Sequence, residues 1–176
     1  MPNLRQLLAG HETPRDHDER MALIAVCESM QRTAQAATLY ADAFKETPAL
    51  TQDWRYAAAG CAARAGCGDG EDAAELSDAE RAVLREEARL WLRDDLIAHK
   101  ALLAGAPTSE RAALPGKLDT WFKDPALACV RDVGKLRKLP SAEREAWVQL
   151  WHHAESLRAE ARSVLSKARG EPSAAK

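Results

Sequence analysis

Helical periodicity constrains this chain more than any other feature of its sequence. Apolar residues recur at intervals of three and four, and no stretch alternates between apolar and polar residues as a half-buried strand does. Alanine, the residue with the highest helix propensity, supplies 36 of the 176 residues. The sequence therefore predicts an all-α fold.

Periodicity and end signals predict helices over residues 19–31, 34–45, 53–65, 77–104, 109–122 and 141–168. We expect Asp16 or Asp18 to cap the first helix, and a capping box of Ser77 and Glu80 to open the fourth. The last helix has the clearest apolar stripe, formed by Ala146, Trp147, Leu150, Trp151, Ala154, Leu157, Ala161, Val164 and Leu165.

Prolines and short turns interrupt this pattern. Thr47-Pro48 is expected to end the second helix, because the residue before proline is disfavoured in the helical region. Pro115 is expected to kink or split the fifth helix. Residues 124–140 are interpreted as turns whose apolar side chains point inward, namely Leu127, Val130, Val133 and Leu136.

The third helix carries unusually small side chains from Ala57 to Ala63. Small residues let the backbone of a neighbouring helix approach closely, which would explain why Gly60 is tolerated although glycine costs ~1 kcal/mol relative to alanine in a helix. We therefore expect this run to lie between packed helices.

Residues 17–50 fit a 34-residue helix-turn-helix frame in which Ala36, Tyr40, Ala43 and Pro48 occupy the second helix. This spacing resembles a tetratricopeptide (TPR) repeat. Further along, Trp54 to Ala63, Leu76 to Arg81, Trp91 to Leu96 and Leu139 to Trp147 resemble the C-terminal TPR region of large bacterial serine/threonine kinases and related repeat scaffolds. The resemblance covers roughly residues 18–165.

The resemblance implies a short stack of helical hairpins closed by the long C-terminal amphipathic helix. It divides the chain into an N-terminal extension (1–17), TPR-like repeats (18–104), a helical capping region (105–169) and a disordered tail (170–176). It implies a non-enzymatic protein-protein interaction module for a protein or peptide partner. In the repeat frame, the residues that would face the binding groove are Glu28, Asp53, Tyr56 and Arg64.

Kinase motifs are absent from the chain, which has no glycine-rich loop with a following lysine, no His-Arg-Asp and no Asp-Phe-Gly. One alternative is therefore an accessory or regulatory segment of a bacterial serine/threonine kinase whose catalytic domain lies elsewhere. The other is a helical hydrolase or metal-binding protein that uses His99 or the pair His152 and His153.

The chemical candidates in the sequence are weak. His152 and His153 are adjacent, so on a helix they point about 100° apart and do not readily bind one ion. His99 lies on an apolar stripe and is expected to be a packing residue, while Asp94 and Asp95 are expected on a solvated face. We predict no catalytic site, no cofactor and no metal.

Charge and composition argue against several partners. The formal net charge is -2, and the basic cluster Lys135 to Lys138 has no interleaved aromatic residues, so we expect no nucleic-acid binding. No window of 18 residues is continuously apolar, so we expect no membrane span. An acidic segment (66–95) and a basic segment (111–144) are interpreted as solvated faces that attract one another, although either could instead steer a partner.

The four cysteines form no Cys-x-x-Cys motif, and Cys27 and Cys61 lie among alanines in helical stretches. The N-terminus has no signal-peptide pattern. We therefore expect a reduced, cytoplasmic protein.

Overall fold

The computed structural model describes residues 14–48 and 51–169, and within these ranges the regular structure is helical, without strands. The all-α prediction is confirmed. The helices are α1 (His17–Ser29), α2 (Thr33–Glu46), α3 (Thr51–Gly66), α4 (Asp78–Gly105), α5 (Thr108–Lys123), α6 (Ala128–Arg131), α7 (Val133–Leu136) and α8 (Ser141–Arg169), with a 3-10 turn at Pro125–Leu127. Most of the expected N-terminal extension and the expected disordered tail lie outside the described residues.

The chain forms two compact units, residues 1–91 and 92–176, and α4 contributes to both. Each unit is described by itself below. Within the described ranges, no helix is both long enough and apolar enough to span a bilayer.

Local end signals work as the sequence predicts. The Asp16 carboxylate accepts a hydrogen bond of 2.9 Å from the Glu19 backbone N–H and caps α1. The capping box that opens α4 is complete, since the Ser77 N–H donates to Glu80 at 2.9 Å and the Glu80 N–H donates to the Ser77 hydroxyl at 3.3 Å. Helix α2 ends at Glu46, directly before Thr47-Pro48.

In the first unit, α2 packs against α1 on one side and α3 on the other. Both α2 and α3 carry alanines that are at most 1% exposed: Ala36, Ala37 and Ala43 on α2, and Ala58, Ala59, Ala62 and Ala63 on α3. The run of small residues is therefore buried in a helix interface, as expected. Its close packing leaves no room for larger side chains.

The loop between α3 and α4 caps the N-terminus of α2. Helix α2 has no side-chain cap of its own. Instead, the Asp72 carboxylate accepts hydrogen bonds from the backbone N–H groups of Ala34 (3.1 Å) and Gln35 (2.9 Å), and the Thr33 hydroxyl donates to the Asp69 carbonyl at 2.7 Å. The acidic loop thus supplies the negative charge that a helix N-terminus favours.

Gly70 makes this docking possible. Its φ of 150° lies in the region that favours glycine, and a Cβ atom placed on it would collide with the Thr33 hydroxyl. The loop can therefore approach the start of α2 only with glycine at this position.

In the second unit, α5 packs against α8, and indole rings fill the core. Trp121 and Trp147 are at most 1% exposed, and the Trp151 Nε1–H donates a 2.7 Å hydrogen bond to the Val130 carbonyl. At the edge of this contact, the Asp119 carboxylate pairs with Arg158 at 3.1 Å and Arg162 at 2.7 Å.

The structure narrows one local expectation for this unit and contradicts another. The expected split of α5 at Pro115 does not occur, because the buried face of the helix continues on both sides of the proline through Leu114 and Leu118. This burial compensates for the backbone hydrogen bond that proline cannot donate. Val133 does not point inward but is 66% exposed, since in the single turn of α7 it is Leu136 that faces the core.

The buried alanine interface generates a stability prediction. Ala62→Leu adds a branched side chain at a position that is 0% exposed, and we expect this overpacking to lower the free energy of unfolding by about 1–3 kcal/mol. Urea unfolding followed by circular dichroism measures the change. Ala79→Leu, on the exposed first turn of α4, is the matched control and should have little effect. Equal losses in the two variants would contradict the packing argument.

The distant cap of α2 generates a second prediction. Asp72→Ala removes the acceptor of two backbone N–H groups, and we expect it to cost about 1 kcal/mol of unfolding free energy. Glu75→Ala removes an exposed carboxylate from the same loop and is the control. If both variants unfold at the same urea concentration, Asp72 does not stabilise α2.

Candidate functional site

Glu28, one of the predicted groove residues, joins three helices of the first unit. It lies on α1, and its Oε1 accepts hydrogen bonds from the Tyr40 hydroxyl of α2 (3.2 Å) and the Cys61 thiol of α3 (3.4 Å). This acceptor atom is therefore engaged within the unit.

The chemistry of these partners does not favour catalysis. Burial, followed by the negative charge of Glu28, raises the pKa of the Cys61 thiol to about 12 and raises that of the Tyr40 hydroxyl. Burial also raises the pKa of Cys27 to about 11. Both thiols are thus protonated at neutral pH, and a protonated thiol is a poor nucleophile.

Arg64, a second predicted groove residue, is also engaged within the first unit. Its guanidinium donates to the Asp69 carboxylate at 2.8 Å and to the Gln31 side-chain oxygen at 2.5 Å. The hydrogen bond to Asp69 raises the pKa of Arg64. Arg64 therefore ties the end of α3 to the loop and to the turn between α1 and α2.

The structure brings Glu28 and Arg64 into the region where α1, α2 and α3 are linked. Tyr56 is half-buried on α3. The side chain of Asp53 lies outside the described part of the chain. Two of the predicted groove residues, Glu28 and Arg64, thus form hydrogen bonds that hold elements of the first unit together.

A cleft of about 250 Å³ lies in the second unit between α4 and α8. Four residues at the helical spacing i, i+3, i+4 and i+7 form its α4 wall: Arg93, Leu96, Ile97 and Lys100. Leu96 is 8% exposed, whereas Ile97 is 61% exposed. Arg93 pairs with the neighbouring Asp94 at 2.7 Å, and both side chains are about half-exposed.

The α8 wall of this cleft has the same spacing. It consists of His153, Ser156, Leu157 and Glu160. Leu157 is 6% exposed and forms the floor together with Leu96, while the three polar residues are exposed. The α4–α8 cleft is therefore apolar at its centre and polar along its edges.

The histidines do not form a metal centre in the described residues, where no group of three or more potential ligands converges. His152 and His153 are both exposed, and only His153 lines the cleft. His99 is half-buried, with Nδ1 3.9 Å from the Asp95 carboxylate and its ring 6.1 Å from that of Trp121.

Asp95 corrects one expectation. The sequence places it on a solvated face with Asp94, but Asp95 is only 5% exposed. Adjacent positions on a helix face different directions, so Asp94 remains at the surface while Asp95 lies on the packed side near His99.

The cysteines divide into two classes. Cys27 and Cys61 are free and buried. Cys67 and Cys129 are disulfide-bonded, so the expectation of a fully reduced chain is wrong for these two residues.

Comparison of the chain with protein-family models, with curated proteins and with solved structures found no match.

Sequence reasoning missed the α4–α8 cleft because it sought only the stripe that packs each helix. Leu157 belongs to the apolar stripe predicted for the last helix. Ile97 lies beside the residues of α4 that pack inward, so the apolar face of this helix is wider than packing alone requires. This extra aliphatic residue is the sequence signal that could have indicated the cleft.

The Glu28 contacts generate a chemical prediction. Glu28→Gln removes the negative charge that disfavours the Cys61 thiolate, so the pKa of Cys61 should fall and its alkylation by iodoacetamide at pH 9 should accelerate. Peptide mass mapping over time measures this rate. Asp18→Asn removes an exposed carboxylate from the same helix and should leave the rate unchanged. A slower reaction in Glu28→Gln would contradict the assignment.

Proposed function

We propose that this chain is a non-enzymatic protein-interaction module and that a segment of a partner protein docks in the α4–α8 cleft. The observation that carries the proposal is the position of Ile97, which is 61% exposed in the wall of a cleft. Single exposed aliphatic residues are common on protein surfaces, but one that extends a buried apolar floor forms a continuous docking surface.

The spacing of the two walls supports the same proposal. Residues at i, i+3, i+4 and i+7 on two neighbouring helices form a groove, and an amphipathic helix binds such a groove through its apolar face. The apolar centre and polar edges match the general anatomy of protein interfaces.

Two further observations favour binding over catalysis. The resemblance of the sequence to TPR scaffolds implies an interaction module. In addition, the free thiols Cys27 and Cys61 have raised pKa values that oppose nucleophilic chemistry. The alternative docking surface, at Glu28 and Arg64, is less favourable because Glu28 already binds two other helices and Arg64 already binds a loop and a turn.

The proposal predicts that Ile97→Asp abolishes partner binding, because a charge then occupies the apolar centre of the cleft. Val83→Asp is the matched control, since Val83 also lies on α4 and is 60% exposed but does not line the cleft. Quantitative mass spectrometry of proteins that co-purify with the tagged chain measures the outcome.

We expect wild type and Val83→Asp to retain one common set of partners that Ile97→Asp loses. Circular dichroism spectra and melting temperatures of the three proteins establish that all are folded. Equal recovery of every partner with Ile97→Asp would refute docking at this cleft.

A further inference from the structure

We infer that the occupant of the α4–α8 cleft is the same cleft of a second copy of this chain. The inference rests on the proposed function, because it names the partner that docks at that site. A closed dimer uses one surface patch on both subunits, so the patch must complement itself in shape, polarity and charge.

The charges of the cleft meet this requirement. The α4 wall carries two bases, Arg93 and Lys100, whereas the α8 wall carries the acid Glu160. Opposite charges thus lie on opposite walls of one cleft. A partner with a single sign of charge would leave either the bases or the acid poorly matched, whereas a second copy presents both signs.

The direction of the two-fold axis follows from this charge distribution. An axis running across the cleft would place the α4 wall of one copy over the α4 wall of the other, and bases would then face bases. An axis running along the cleft places each α4 wall over the α8 wall of the other copy. Glu160 then faces a base, Arg93 or Lys100, and this happens twice in the dimer.

The charged groups are available for such contacts. Lys100 and Glu160 form no ion pair within the described ranges of the chain. Arg93 pairs with Asp94, but both side chains are about half-exposed, and an exposed pair of this kind contributes little stability. Replacing the Arg93–Asp94 ion pair with a contact to a second copy therefore costs little free energy.

The apolar residues supply the centre of the interface. Ile97 is 61% exposed, and it lies next to the floor formed by Leu96 and Leu157, which are 8% and 6% exposed. In the dimer, the two Ile97 side chains enter the space between four helices, with the charged residues around them. This arrangement gives a central apolar cluster inside a polar rim. Most of the binding energy of a protein interface comes from residues near its centre.

Sedimentation equilibrium of the full-length protein tests the inference. We expect wild type and Val83→Asp to dimerise with the same Kd, and Ile97→Asp to be monomeric at a loading concentration of about 100 µM. Glu160→Lys should raise the dimer Kd roughly tenfold, because it brings like charges together at two places.

Exchanging the charges of the two cleft walls tests whether the Kd depends on the proposed charge pairs or on a general loss of stability. The triple variant Arg93→Glu, Lys100→Glu, Glu160→Lys restores opposite charges between the walls and should restore the wild-type Kd. Failure of this rescue, with all variants folded, would overturn the two-fold arrangement.

The outcome also distinguishes the inference from the proposed function. A wild-type protein that stays monomeric, or a dimer that Ile97→Asp leaves intact, overturns the inference. If the co-purified partners still depend on Ile97 in that case, the cleft binds a different protein and the proposed function stands.

Discussion

Burial of the alanines of α2 and α3 is the constraint on which the first unit depends. Helices whose buried side chains are this small can pack with their backbones close together. Alanine also buries little apolar area, so this interface gains less hydrophobic free energy than one built from leucine. Hydrogen bonds and ion pairs between the elements supply part of the stabilisation that the small alanine contacts lack.

These links explain the roles of residues that the repeat frame assigned to a groove. Glu28 connects α1 to α2 and α3, while Arg64 connects the end of α3 to the following loop. Asp72 caps α2 from that loop. In the second unit, large aromatic side chains fill the core, and the polar groups at the α4–α8 cleft remain at the surface.

Much of the fold could be predicted because the relevant interactions are local. The cap at Asp16 and the box at Ser77 and Glu80 each join residues three positions apart, so the sequence shows them directly. Val133 and Asp95 departed from prediction because their environment depends on distant packing. The buried face of α5 continues across Pro115, so the helix is not interrupted there. The orientation of the single turn α7 decides whether Val133 is covered.

The candidate site was predictable only in part. By itself, the sequence determined the helices, most of their ends and the small-residue face of α3, since local hydrogen bonding and periodic burial fix these features. Only the tertiary structure decided that Glu28 links three helices, that Arg64 binds the loop after α3, and that Ile97 and Leu157, 60 positions apart in the chain, line one cleft. The physical reason is that a cleft arises from the gap between two helices, and no pattern within either helix specifies which faces meet.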